Sequence, residues 1–191
     1  MHKRNEILIA TKNKGKLKDF ATLLPNFDIK SLFDFEIDDI EETGETFSEN
    51  ALIKAKTLSI LTGKTVIADD SGLACEGLDG APGVYSQRYS VTGTDMDNNK
   101  LLLKNITGKN RSAKFVSVIC IYFPSGEYQF FVGELKGRIV ETPRGSNGFG
   151  YDPIFYIDNL NKTMAEITQE EKNKISHRRN AMMKLLESGL L

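Results

Sequence analysis

The chain has little that would tie it to a special environment. Its 191 residues include only two cysteines, Cys75 and Cys120, too few for a disulfide framework; their simplest role is as small buried apolar groups. No apolar run approaches membrane-spanning length. Met1-His2-Lys3-Arg4 puts positive charge at the start, yet only Ile7 to Ala10 follow before polar residues return, too short a core for a signal peptide. A cytoplasmic protein with no membrane partner is expected. Charge of one sign is also missing: a formal net charge of −1 argues against a surface that coats nucleic acid, so none is expected as a partner. Any affinity for phosphate must come from local placement of Lys and Arg. No internal repeat, low-complexity tract or linker interrupts the sequence.

What is present is ordinary for a soluble globular protein, with 40% hydrophobic and 27% charged residues. The length fits a single domain over 1–191, one that can divide into two lobes. Apolar runs alternate with helical patterns. Strands are expected near 6–10, 65–69, 113–123, 128–135 and 153–157, and helices near 15–24, 47–61, 95–106 and 168–188. Pro124-Ser125-Gly126-Glu127 turns the third strand into the fourth as a hairpin. Early βα units with a central hairpin imply an α/β protein, a mixed sheet flanked by helices.

The strand at Ile7-Leu8-Ile9-Ala10 runs straight into Thr11-Lys12-Asn13-Lys14-Gly15-Lys16, after which Leu17, Phe20, Leu23 and Leu24 recur at helical spacing. A strand, a tight loop and a helix start bring free backbone N–H groups and the helix dipole to one place, where they attract an anion. Thr11 and Asn13 add side-chain donors, and Lys14 or Lys16 adds positive charge. The loop is not a Walker A motif, because Ala10 takes the earlier glycine position and Leu17 stands where Ser or Thr would ligate magnesium. A phosphate-bearing ligand is the expectation; an ordinary βα connection with surface lysines is the plain alternative.

Further along, Thr46-Phe47-Ser48-Glu49 is a capping box that starts a helix. Phe47, Ala51, Ala55 and Leu58 form its inward stripe, and Lys54 borders that stripe, so it needs an anionic partner or must snorkel out, the commoner outcome. Val66-Ile67-Ala68 leads into Asp69-Asp70-Ser71-Gly72-Leu73, which reads as a strand ending in two carboxylates at the sheet edge where open α/β folds bind ligands. Alternation sends the two side chains to opposite faces, so one serves the site and the other bonds neighbouring loops. Upstream, the acidic loop Asp38-Asp39-Ile40-Glu41-Glu42 with Glu45 can offer one carboxylate to a magnesium ion bridging protein and polyphosphate. Ser146-Asn147-Gly148-Phe149-Gly150-Tyr151-Asp152-Pro153 sets an aromatic between two glycines, and such a ring either stacks on a base or, more commonly, plugs the core. The last helix opens with the capping box Thr168-Gln169-Glu170-Glu171. Arg178 falls within its apolar stripe of Ile175, Met182, Leu185 and Leu186, and an inward Arg needs an acceptor. Lys172 and His177 would lie roughly 140° apart on one ideal helix, so a break near Ser176 is expected if both face one pocket.

Together and in this order, these segments resemble the Ham1/RdgB family of inosine triphosphate pyrophosphatases. The stretches are Ala10-Thr11-x-Asn13-x-Gly15-Lys16, Thr46-Phe47-x-Glu49-Asn50-Ala51-x-x-Lys54-Ala55, Ala68-Asp69-Asp70-Ser71-Gly72-Leu73, Gly80-Ala81-Pro82-Gly83 with Ser86 and Arg88-Tyr89, the Phe149 loop, and Glu171-Lys172-x-x-x-Ser176-His177-Arg178. They reach from 10 to 178. The resemblance implies an elongated mixed sheet in two lobes with the nucleotide in the cleft between them. It implies a homodimeric, Mg2+-dependent enzyme that hydrolyses ITP, dITP and XTP to the monophosphate and pyrophosphate, clearing them from the precursor pool. By matching position, Thr11, Asn13, Gly15, Lys16 and Lys54 hold the triphosphate, and Ser71 contacts substrate. Asp70 is the general base, and Glu42, beside Glu41, joins it on the metal. Phe149, Gly150, Tyr151, Asp152, Lys172, His177 and Arg178 surround the purine.

The chemistry agrees with that implication. Cleavage between the α and β phosphates needs charge neutralisation and a positioned water. A carboxylate cannot be strongly metal-bound and strongly basic at once, so Asp70 can share its two roles with Asp69. Lys172, His177 and Arg178 can all donate to a 6-oxo group but not to the amino group of adenine, itself a donor. Two other readings use the same residues: a Maf-type nucleotide pyrophosphatase, which the Phe149 loop and Ser176-His177-Arg178 argue against, and a non-catalytic nucleotide sensor, for which extra carboxylates are a poor choice.

Overall fold

The computed structural model describes residues 5–35, 37–38 and 40–191. The N-terminal residues Met1 to Arg4, and Asp39 of the acidic loop, lie outside the described set. The chain runs β1 (Asn5–Ile9), α1 (Lys14–Leu23), β2 (Phe27–Ser31), α2 (Phe47–Thr62), β3 (Val66–Cys75), α3 (Asp95–Asn105), β4 (Ser112–Tyr122), β5 (Tyr128–Ile139), β6 (Phe155–Ile157), β7 (Lys162–Thr163), α4 (Gln169–Ile175) and α5 (His177–Glu187), with short 3-10 turns between. The strands pair in the order β2-β1-β3-β4-β5-β6-β7. β1 is parallel to both β2 and β3, while β5, β6 and β7 pair antiparallel, giving the mixed sheet expected of these alternating patterns.

Contacts divide the chain into two units. The first holds the described residues of Met1–Asp70 with Ser117–Gly133 and Ala181–Leu191; the second holds Ser71–Val116 and Glu134–Asn180. In the first, Phe20 of α1, Leu24 just after it, and Met182 and Leu185 of α5 pack on Ile7, Ile9, Ile67, Ile119 and Phe131 of the strands. In the second, Leu102 and Ile106 of α3 pack with Leu73, Phe115, Ile139 and Phe155. Cys75 and Cys120 are buried and unbridged, and burial pushes both thiols up to about 12. Among the described residues no helix is long and apolar enough to cross a membrane.

One predicted strand departs from the sequence reading. β3 does not stop at its carboxylates but continues to Cys75, so Asp69 and Asp70 sit mid-strand rather than at an edge. The turn preference of Asp-Ser-Gly yields because Leu73 and Cys75 reach the core beyond it, and because lysines compensate both carboxylates. The C-terminal helix breaks near Ser176, as the placement of Lys172 and His177 led us to expect. Ser176 is extended, with φ −62° and ψ 151°, and caps α4. Its hydroxyl oxygen also accepts the amide N–H of Arg179 at 3.2 Å, opening α5.

Candidate active site

In the first unit, the α1 start is fixed by its own polar turn. Thr11 Oγ1 accepts the Asn13 N–H at 3.1 Å, and Asn13 Oδ1 caps the helix by accepting the Lys16 N–H at 3.0 Å. Gly15 is the second residue of that helix. Lys14 is exposed, whereas the Lys16 Nζ turns back to β3, 2.8 Å from Asp69 Oδ2 and 3.2 Å from the Asp69 carbonyl. Of the two lysines, Lys16 is the one that meets a carboxylate of β3.

α2 begins with the expected capping box, Thr46 and Glu49 exchanging side-chain and backbone bonds. Two turns in, Lys54 does not snorkel. It is only 7% exposed, and its Nζ meets Glu42 Oε1 at 2.5 Å, the Asp69 carbonyl at 2.9 Å and Asp70 Oδ1 at 3.5 Å. Of the two adjacent glutamates, Glu42 makes this contact, while Glu41 is exposed. Asn50 steadies the acidic loop, its Oδ1 accepting the Gly44 N–H at 2.8 Å. Asp69 is 1% exposed. Its carboxylate is shared between Lys16 and the hydroxyl of Ser117, which donates to Oδ1 at 2.5 Å from the middle of β4.

Burial is the largest influence on Asp70, and it raises the carboxyl above the usual range despite the attraction of Lys54 and Lys16. Burial works against the charge of Lys54 too, but Asp70 and Glu42 outweigh it and hold the ammonium above the ordinary lysine value. The cluster therefore carries three carboxylates, Glu42, Asp69 and Asp70, on two lysines. Among the described residues, no three His, Cys, Asp or Glu side chains close around a point by themselves.

In the second unit, the Phe149 loop turns at Gly148, where φ is +78° and a Cβ would sit 1.9 Å from Asp152 Oδ2. Only glycine permits both the backbone and that approach. The same Asp152 oxygen accepts the Phe149 N–H at 3.0 Å and the Lys172 Nζ at 2.5 Å. Lys172, buried on α4, places its Nζ 4.6 Å from the centre of the Phe149 ring. The ring is 37% exposed, so it does not plug the core. The break at Ser176 starts α5 in a new direction. His177 stacks on Phe115, ring centres 5.0 Å apart and planes at 18°. Arg178, 1% exposed, finds an acceptor in Ser71 Oγ at 3.0 Å.

The expected residues thus divide between the two units: Thr11, Asn13, Gly15, Lys16, Glu42, Lys54 and Asp70 fall in the first, and Ser71, Phe149, Gly150, Asp152, Lys172, His177 and Arg178 in the second. The side chain of Tyr151 goes elsewhere. Its ring lies in the second unit's core and its hydroxyl donates to the Ser86 carbonyl at 2.7 Å, a packing demand that the loop motif does not reveal. Ser117 was missed; its one sequence signal is a hydroxyl in the otherwise apolar run Phe115-Val116-Ser117-Val118-Ile119.

Such a sheet, with buried lysine–carboxylate networks and an exposed ring held over a lysine, defines an α/β protein equipped for a charged, aromatic ligand. The profile of the Ham1 family matches residues 7–188. The dITP/XTP pyrophosphatase of Bacillus licheniformis is 50% identical over 187 residues, covering 94% of this chain and 95% of its own length. That of Listeria monocytogenes serovar 1/2a is 50% identical over 194 residues, covering 98% and 95%. The solved Ham1 protein of Staphylococcus aureus superposes with a TM-score of 0.87 at 44% identity over 97% of this chain and 98% of that one. The HAM1 protein of Coxiella burnetii gives 0.89 at 40% over 96% and 98%. The chain belongs to the Ham1 family.

Proposed function

We propose that this chain is a nucleoside triphosphate pyrophosphatase that hydrolyses dITP, XTP and ITP to the monophosphate and pyrophosphate, withdrawing non-standard purines from the nucleotide pool. Half of its residues are shared with proteins named dITP/XTP pyrophosphatase over nearly their whole length, and that observation carries the reading. The triphosphate falls to the α1 N-terminus, Lys16 and Lys54, where backbone N–H groups and two ammonium groups meet anionic oxygen. Asp70 accepts a proton from water as its oxygen bonds to the α-phosphorus and pyrophosphate leaves; a carboxyl raised by burial is a better base than an ordinary one. Asp69, engaged with Lys16 and Ser117, orients the lysine.

The residues fit magnesium. A surplus of hard carboxylate oxygens around two lysines suits an ion that takes one or two carboxylates and completes its shell with phosphate oxygens and water. Glu42 and Asp70 would hold it, and when bound it supplies charge neutralisation to the phosphates. In the second unit, Lys172, Arg178 and His177 supply donors for a 6-oxo group, and Phe149 supplies a face for the ring. Both units serve one ITPase-like domain, and we place the enzyme in the cytoplasm as a homodimer.

The test is to incubate the protein with Mg2+ and dITP, XTP, ITP, GTP, dATP or dTTP and to identify the products. Pyrophosphate and monophosphate from the first three are expected. Orthophosphate would mean a phosphatase, preference for dTTP a Maf-type enzyme, and tight binding without turnover a sensor.

A further inference from the structure

Gly150 follows Phe149 with φ +62°, and both polar groups of its backbone are taken by one helix. Asp95 Oδ2 accepts the Gly150 N–H at 2.7 Å, and Asn99 Nδ2 donates to the Gly150 carbonyl at 3.0 Å. The two side chains lie four residues apart on α3, hence on the same face. Thr94 caps this helix through the Asp97 N–H, so the start of α3 is itself well defined.

What makes these bonds matter is the space beside them. A cavity of about 430 Å³ separates α3 from the loop, lined by Met96 and Leu103 on one side and Pro143 and Pro153 on the other. A loop that spans a hollow cannot be positioned by close packing, which fixes side chains only where neighbours touch. Ser146 and Asn147, at the start of the loop, are held by the Ala165 and Ile167 carbonyls; at Phe149 and Gly150, beside the hollow, the place of the loop is set by two polar tethers. One tether is Asp152, through the Phe149 N–H and Lys172. The other is the Asp95–Asn99 grip on Gly150. Asn99 is buried, and its Oδ1 has no hydrogen-bond partner among the described residues. An aliphatic side chain would avoid that cost, so the amide is worth having for the bond its nitrogen donates.

We propose that Asp95 and Asn99 are positioning residues that fix the Phe149 ring through Gly150 and so set the affinity for the base. The inference rests on the reading that Phe149 faces a purine. Neither residue is assigned contact with the nucleotide.

Full-length Asp95→Ala, Asp95→Asn and Asn99→Asp proteins would be compared with the parent by steady-state kinetics on dITP and by amide hydrogen exchange over 148–152. Asp95→Ala removes the acceptor, and Asn99→Asp turns a donor into an anion facing the Gly150 carbonyl. Each should raise the dITP KM about tenfold, the scale of one lost hydrogen bond. kcat should stay within about twofold, as expected when binding remote from the chemistry is lost. Both should speed exchange in the loop. Asp95→Asn retains an acceptor oxygen and should restore most of the KM, which separates the tether from the loss of a charge at the helix start. Unchanged KM and exchange in Asp95→Ala and Asn99→Asp would overturn the proposal. So would a fall in kcat with KM intact, or an Asp95→Asn protein as impaired as Asp95→Ala. If the parent fails to turn over dITP, the functional reading falls, and exchange alone decides the tether: faster exchange sustains it and unchanged exchange ends it.

Discussion

In the first unit, three carboxylates converge on two lysines; in the second, Lys172 pairs with Asp152 beside an exposed ring and Arg178 donates to Ser71. The two groups use similar residues for opposite purposes. A surplus of negative charge would repel a triphosphate unless a divalent cation joined it, so the first group is built to take part in chemistry at phosphorus. The second group is organised around donors. Its cations are aimed by neutral or singly charged partners, Ser71 for the guanidinium and Asp152 for the ammonium, and oriented donors of this kind discriminate rather than catalyse. Damage to the first group should therefore appear in kcat or stability, and damage to the second in the ratio between bases.

The largest effect expected is that of Asp70→Asn. Loss of a general base lowers turnover by about 10²–10⁴-fold, and loss of a metal ligand adds to it, so dITP hydrolysis should drop by at least about 10³-fold. Because amide and carboxylate are nearly isosteric, the melting temperature should hold. Pyrophosphate release measured with dITP and dATP should fall in parallel. A variant that keeps its rate removes Asp70 from the chemistry; one that loses only its preference places Asp70 with the base instead.

Much of this arrangement is legible in the sequence, and what is not has a physical reason. Helix periodicity and capping boxes locate α1, α2 and the C-terminal helices to within a residue or two, since these signals are local. The stop at Asp69-Asp70 is misread because turn propensity is also local, whereas the lysines that keep the strand extended come from residues 16 and 54. β2 escapes notice because Phe27-Asp28-Ile29-Lys30-Ser31 is short and mixed, and it becomes a strand by pairing with β1. In the site, Lys54 is marked by its place beside the apolar stripe, but its burial depends on Glu42 and Asp70 arriving from elsewhere. Ser117 and the Asp95–Asn99 grip carry no spacing signal at all, because each acts on a residue about fifty positions away.

The comparison sharpens with Lys54→Met. Both lysine networks are buried, but Lys54 balances two carboxylates where Lys172 balances one. Removing one partner of a buried ion pair typically costs about 3–5 kcal/mol. Asp70, its carboxyl already raised by burial, would relieve part of that by taking up a proton, so Lys54→Met should lose stability near neutral pH and regain some as pH falls. The sign follows from the lysine's role: its charge stabilises the ionised carboxylates, and protonated ones no longer need it. Denaturant midpoints at pH 5.5 and pH 8, chosen as about one to two units either side of neutrality, would show the recovery. A loss equal at both values would mean that the lysine serves packing, not charge.

The smallest effect separates the groups most cleanly. Lys172→Met removes one donor and leaves the Phe149 face, the Asp152–Phe149 backbone bond and the first group intact. A hydrogen bond from a charged donor is worth about 1.5–3 kcal/mol. The ratio of kcat/KM for dITP to that for dATP should therefore fall by roughly ten- to a hundredfold, with kcat on dITP little changed. The companion Lys172→Arg keeps the charge but not the geometry of a compact ammonium beneath the ring, and should recover only part of the preference. If Lys172→Met instead slowed turnover of both nucleotides equally, the second group would share the chemistry of the first, and the division between them would fail.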